Sequence, residues 1–296
     1  MLRPSEAKAE EACATPGAES HWYTQLVAGS DLSTSSLEAL QRAAVLMYPH
    51  GRYTEAASAF ADIVATSPET LAKQLGNVGR ADLLMLGGDH STADSTYAGL
   101  EASFKASNRH VLLGYVRARR AWIAFTENRA SDGEALLQDA AAHSQVQANP
   151  YVMGYVHYAK AMGLTKAQKY TEALQVIGQC EAVRAASGDK HGVAVARIGY
   201  AKIQQALGNH GRAIAELQTV SDIFTAFNNE TCAAAAATHT AATALSITID
   251  TQPLGGYLPA CSGGDNGVAL RALLQSVFDY AAPTVVDLRP TAHWPG

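Results

Sequence analysis

The sequence predicts an all-α solenoid of about five helical hairpins with capping helices at its C-terminal end, and three observations carry that expectation. A polar turn recurs at near-constant spacing, small residues recur at fixed positions on both sides of it, and the apolar share is poor in aromatics. Of 296 residues, 48% are hydrophobic, but only 7% are aromatic and 17% charged. Small aliphatic side chains, alanine above all, therefore make up most of the apolar content. Alanine is the best helix former and a poor strand residue, which favours closely packed helices over a β-sandwich.

The turn appears as Gly51-Arg52-Tyr53-Thr54-Glu55-Ala56, Gly88-Asp89-His90-Ser91-Thr92-Ala93, Gln168-Lys169-Tyr170-Thr171-Glu172-Ala173 and Gly208-Asn209-His210-Gly211-Arg212-Ala213, with a weaker copy at Asn128-Arg129-Ala130-Ser131-Asp132-Gly133. Its small residues, Ala56, Ala93, Gly133, Ala173 and Ala213, are 37, 40, 40 and 40 residues apart. Twelve residues before each stands another alanine: Ala44, Ala81, Ala121, Ala161 and Ala201. Small side chains at both places let two antiparallel helices approach closely. Four residues after the second small position come Phe60, Tyr97, Leu137, Ile177 and Leu217, and three further on Ile63, Leu100, Ala140, Cys180 and Val220. That spacing is one apolar stripe of a helix.

In chain order, residues 1–20 read as a disordered tail, and 21–29 as a short helix that docks Trp22 on the first hairpin. Hairpins follow near 37–66, 69–105, 109–147, 150–187 and 190–227. Ser67-Pro68-Glu69 and Asn149-Pro150 read as an N-cap followed by Pro at N1, Ser107-Asn108 and Asn228-Asn229 as caps, and Ser187-Gly188-Asp189 as a stop followed by a start. A helix at 231–249 would close the array, which as one unit spans 21–249, because a solenoid end needs a cover over its last apolar face. Residues 250–267 read as a Gly/Pro loop, 268–282 as an amphipathic helix and 283–296 as an extended, proline-containing tail.

These turns resemble the tetratricopeptide repeat (TPR) superfamily. Gly51-Arg52-Tyr53-Thr54-Glu55-Ala56 with Phe60 and Pro68 reproduces its pattern nearly complete, and Tyr170, Glu172 and Ala173 reproduce its middle. The resemblance covers about two thirds of the chain, at 40 residues per repeat instead of about 34. It implies a right-handed superhelix whose first helices line a concave groove for a partner. The dicarboxylate-clamp members hold a chaperone C-terminus with a Lys/Asn pair. Gln41 and Val45 stand at those positions, so that activity is not implied.

A net charge of −5 gives no global attraction to nucleic acid or anionic membrane. No stretch of about 18 uninterrupted apolar residues occurs. With Glu6, Glu10, Glu11 and Glu19 near its start and no apolar run there, the chain reads as cytoplasmic or nuclear. Cys13, Cys180, Cys232 and Cys261 lie far apart and predict free thiols, with no metal site. Catalytic signatures are missing: the glycine run 261–267 has no P-loop lysine, and no G-x-S-x-G or H-E-x-x-H occurs. No enzymatic activity and no cofactor are expected.

Charge, however, repeats. Arg80, Arg120 and Lys160 precede the first-helix alanines by one residue, and Arg117, His157 and Arg197 precede theirs by four. Together they predict a basic ladder across the first helices of repeats two to five. Tyr115, Trp122, Phe125, Tyr155 and Tyr158 share those helices. Burying unpaired cations costs several kcal/mol each, against about 1.5 to 3 kcal/mol for each exposed aromatic, which puts the aromatics inside and the cations in the groove. The TPR register implies the opposite, an aromatic groove, or the bases pair with acids of the neighbouring hairpin. The leading functional expectation is an adaptor or scaffold that binds a protein or peptide segment, preferring acidic or phosphorylated stretches. A regulatory sensor of a small peptide or ligand, signalling through superhelix shape, is the alternative. Nucleic acid is not expected, since the ladder lacks interleaved aromatics.

Overall fold

A computed structural model describes residues 26–27, 30–48, 50–226, 236–237 and 240. Among them every regular element is a helix: α1 (Thr34–Met47), α2 (Tyr53–Thr66), α3 (Thr70–Leu86), α4 (His90–Ala106), α5 (His110–Thr126), α6 (Ala130–Ala140), a short α7 (Ser144–Gln147), α8 (Pro150–Lys166), α9 (Tyr170–Ala186), α10 (Lys190–Ala206) and α11 (His210–Ala226). Successive helices pack on one another from α1 to α6 and again from α8 to α11. The protein is thus an all-α solenoid-like array. Its hairpins are α1/α2, α3/α4, α5/α6, α8/α9 and α10/α11. The tails and loop expected at 1–20, 250–267 and 283–296 and the helix at 268–282 lie outside the described residues. So do most of 21–29 and 231–249, the cap at Asn228-Asn229 and the cysteines at 13, 232 and 261.

The recurrent turn has a backbone cause. Gly51, Gly88, Asn128, Gln168 and Gly208, the first residue of each copy, all take positive φ, between 58° and 82°. After it, the Asp89 N–H donates to the Leu84 carbonyl at 3.0 Å, and Arg129, Lys169 and Asn209 repeat that bond to Ala124, Leu164 and Gln204. This is the Schellman ending, which satisfies the last carbonyls of the first helix and reverses the chain. Every paired small residue is buried, from Ala44 and Ala56 through Ala201 and Ala213, as are the stripes that begin at Phe60, Tyr97, Leu137, Ile177 and Leu217. In α4, an otherwise polar helix, Ala93, Tyr97, Leu100 and Phe104 alone form the buried stripe.

Between hairpins the caps differ in part from expectation. Asn149 caps α8, accepting from the Val152 N–H at 3.0 Å, with Pro150 at N1. Asp189 caps α10, accepting from the Gly192 N–H at 2.7 Å, just after Gly188 at φ 76°. At the α2/α3 junction, however, Ser67 ends α2 and the N-cap of α3 is Glu69. The Glu69 carboxylate reaches back to Ser33 and Ser36 at the start of α1, which draws it away from capping its own helix. Asn108 likewise is the αL residue that ends α4 (φ 54°), and Arg109 is the N-cap.

The third hairpin breaks the pattern. Its second helix stops at Ala140, and α7 turns back so that Val146 is fully buried against α5, where a Cβ on Gly114 would meet it at 2.7 Å. With α6 short, α5 packs broadly and directly on α8. Phe125 fills that contact. A Cβ on Gly133 of α6 would meet its ring at 2.7 Å, and one on Gly163 of α8 at 2.8 Å.

Candidate functional site

A first helix in such an array touches its neighbours, so a contact between hairpins one and five can form only on the inside of the curl. Such a contact exists. The ring of Tyr48, at the end of α1, meets the His191 ring of α10 edge-on at 5.5 Å, and His191 in turn meets Phe224 of α11 at 5.8 Å. These residues mark the inner face, and a connected polar network runs along it.

Its centre is Asp82 of α3, with 0% of its surface exposed. The Tyr48 and Tyr115 hydroxyls donate to its Oδ2 at 2.8 and 2.7 Å, the Tyr97 hydroxyl donates to Oδ1, and Arg119 Nε donates to Oδ1 at 2.8 Å. Donors from three other helices thus converge on one α3 carboxylate. Burial and the neighbouring Asp82 charge push the phenols of Tyr48, Tyr97 and Tyr115 well above their ordinary range, so all three remain donors. Burial works against the Arg119 charge, but Asp82 and the surrounding tyrosines together outweigh it and hold its pKa well above the ordinary range.

Next along the face stand Tyr151 and Tyr155 of α8, hydroxyl to hydroxyl at 2.8 Å, with Tyr155 edge-on to Tyr115 at 5.0 Å. Two guanidinium groups lie over Tyr155: Arg119 at 4.9 Å and Arg184 at 4.2 Å from the ring centroid. Arg184, from α9, pairs with Asp189 and also lies 4.6 Å from Tyr151. Two helical glycines make room for it. A Cβ on Gly154 would come within 2.0 Å of Arg184 Nε, and one on Gly192 within 2.6 Å of its Cδ. Burial, against weaker help from Asp189, lowers the His191 imidazole to about 4. Cys180 donates its thiol to the Gly154 carbonyl at 3.2 Å, and burial raises it to about 11, so it is not a poised nucleophile.

The basic ladder lies elsewhere, between first and second helices. Arg117 pairs with Glu101 of α4 at 2.8 Å, and Arg120 with Asp94 and Glu101 of the same helix at 2.8 and 2.6 Å. Arg197 repeats the arrangement with Glu181 of α9 at 2.9 Å and Glu216 of α11 at 3.3 Å. Arg80 is exposed and reaches Asn77 at 3.3 Å, and Lys160 is exposed. His157 is half-buried, and burial and then Lys160 lower its pKa.

Of the aromatic row, the structure brings Tyr115 and Tyr155 together on the inner face. Trp122 is buried edge-on to His90 of α4, Phe125 fills the α5/α6/α8 contact, and half-buried Tyr158 lies near Gly199 of α10. The residues that sequence reasoning missed are Tyr48, Asp82, Arg119, Tyr151, Arg184, Asp189 and His191. One signal was available: Asp82, Arg119 and Arg184 interrupt apolar helix faces, and Tyr115 and Tyr155 recur one repeat apart.

Among the described residues no group of three or more His, Cys, Asp or Glu side chains could hold a metal ion, and no helix is long and apolar enough to cross a membrane. No protein-family model matches this chain, and no curated protein matches it, so the inner-face network itself is what a functional reading has to rest on.

Proposed function

We propose that this protein is a non-enzymatic, TPR-type adaptor that holds a segment of a partner protein against the inner face of its coil. The observation that supports this most is the polar and aromatic lining of that face, which draws on all five hairpins. A solenoid needs no such lining to be stable, since nearest-neighbour packing suffices, and buried ion pairs are often no better for stability than apolar residues of similar size. Half-buried Tyr155 and Tyr48 offer the amphipathic contact area that recognition favours. The basic ladder contributes less under this reading, because Arg117, Arg120 and Arg197 are already engaged by acids on adjacent helices.

Affinity purification of the full chain with mass spectrometry tests the proposal. A partner recovered by the native protein should be lost on Tyr155→Ser and retained by Arg80→Glu/Lys160→Glu. Equal recovery by a folded Tyr155→Ser variant would remove the inner face from the reading. The Tyr48–His191 contact favours a second reading, a sensor whose coil opens or tightens on binding a small peptide. A ligand-dependent change in radius of gyration by small-angle scattering would distinguish it from a rigid adaptor.

A further inference from the structure

Arg184 poses a problem that packing does not answer. Admitting it requires glycine at two helical positions, Gly154 and Gly192, where glycine is a poorer helix former than alanine. It is 4% exposed and Arg119 is 8% exposed. A guanidinium carries five N–H donors. Arg184 donates from Nη1 to Asp189, and Arg119 from Nε to Asp82. Arg184 Nε and Arg119 Nη2 are buried without an acceptor. Two permanently charged groups, within about 9 Å of each other across one tyrosine ring, thus have hydrogen-bonding capacity left over. An unmet buried donor on a charged group is expensive, and a bound acceptor is the usual resolution.

We propose that the inner face at Tyr155 is an oxyanion site, where Arg119 and Arg184 receive a carboxylate or phosphate of an acidic or phosphorylated peptide segment. This rests on the inner-face reading above and gives it a chemistry. Tyr155 is the half-buried member that covers both guanidinium groups, so its ring must turn for the anion to enter. The Tyr151 hydroxyl, already bonded to that of Tyr155, then becomes a further donor. Charge-assisted bonds from two arginines are the strong kind and suit planar carboxylate and tetrahedral phosphate alike. The paired arginines of the ladder, Arg117, Arg120 and Arg197, differ in that none of them holds a buried donor without an acceptor.

Selection of a random twelve-residue peptide library on the full-length protein, with a parallel phosphoserine-containing library, tests the site. The expected winners carry Asp, Glu or phosphoserine, bind at least tenfold more weakly when these become Gln or Ser, and lose binding in Arg184→Lys. Hydrogen exchange on the native chain should show peptide-dependent protection in α5, α8 and α9, a readout that stands even if Arg184→Lys fails to fold. Neutral or basic winners that protect the same helices would overturn the oxyanion assignment while leaving the inner-face reading intact. Protection confined to the outer helices, or no enriched peptide, would overturn both.

Discussion

Asp82, fully buried, gathers four donors on one side chain. Three tyrosines and an arginine, contributed by α1, α4 and α5, depend on it. Removing one member of a buried ion pair typically costs about 3 to 5 kcal/mol, because the other charge stays behind unpaired. Asp82→Ala is therefore expected to lose at least about 3 kcal/mol in urea denaturation, while Asp82→Leu/Arg119→Met should lose less than Asp82→Ala alone. His191 makes a pH prediction. Its folded pKa of about 4 lies below the ordinary 6.5, so the unfolded chain binds the proton more readily between those values. Stability should therefore be intact above about pH 6.5 and fall as pH drops toward 4. Thermal melts across that window check it: His191→Gln should flatten the pH 6.5 to 4 portion, while losses from depressed carboxylates such as Asp189 persist at lower pH.

At the scale of elements, the αL residue that ends each first helix can be probed directly. Gly88 and Gln168 occupy the same turn position at φ 82° and 58°. An L side chain there costs roughly 1 kcal/mol that glycine avoids. Gln168→Gly should accordingly raise stability by up to about 1 kcal/mol and Gly88→Ala lower it by a similar amount, as denaturant midpoints at unchanged m-value. Phe125, clasped by Gly133 and Gly163, should cost about 3 to 5 kcal/mol on truncation to alanine, since neither glycine can fill the void. Much at this scale was legible in the sequence, because turn chemistry and small-residue spacing are local. The positions picked from the repeat, Ala44 through Ala213, are buried as their spacing implied. Ser67 does accept the Glu69 N–H, but Glu69 is extended and α3 begins only at Thr70. The Glu69 carboxylate is held by Ser33 and Ser36, more than thirty residues earlier and beyond any local pattern. The early stop of α6 left no local mark: Val146 folds back onto Gly114 of α5, a residue far from it in sequence.

For the molecule as a whole, the curl decides what the sequence conceals. Arg117 and Arg120 were visible as a charged row, yet which side of α5 they occupy depends on how α4 stacks. Asp82 and Arg119 read as interruptions of apolar faces, and only the stacking of adjacent hairpins brings them within 2.8 Å. Tyr48 and His191, at opposite ends of the repeat register, give the prediction proper to this scale. In a strictly linear array Tyr48→Ala would disturb the first two hairpins alone. Here it should also speed hydrogen exchange in α10 and α11, and a double-mutant cycle with His191→Ala should show coupling of about 0.5 kcal/mol or more.

The same contact sets an order of events during synthesis. A linear repeat array can be completed hairpin by hairpin as the chain emerges, each stacking on the one before. Tyr48 leaves the ribosome long before His191, so the first hairpin must wait, with that ring uncovered, until the fifth has been made. Closure is a late, long-range step of the kind that slows folding. Chains halted after α8 should accordingly hold native helices while their N-terminal end stays accessible to proteases, a vulnerability that ends only when the last hairpin arrives.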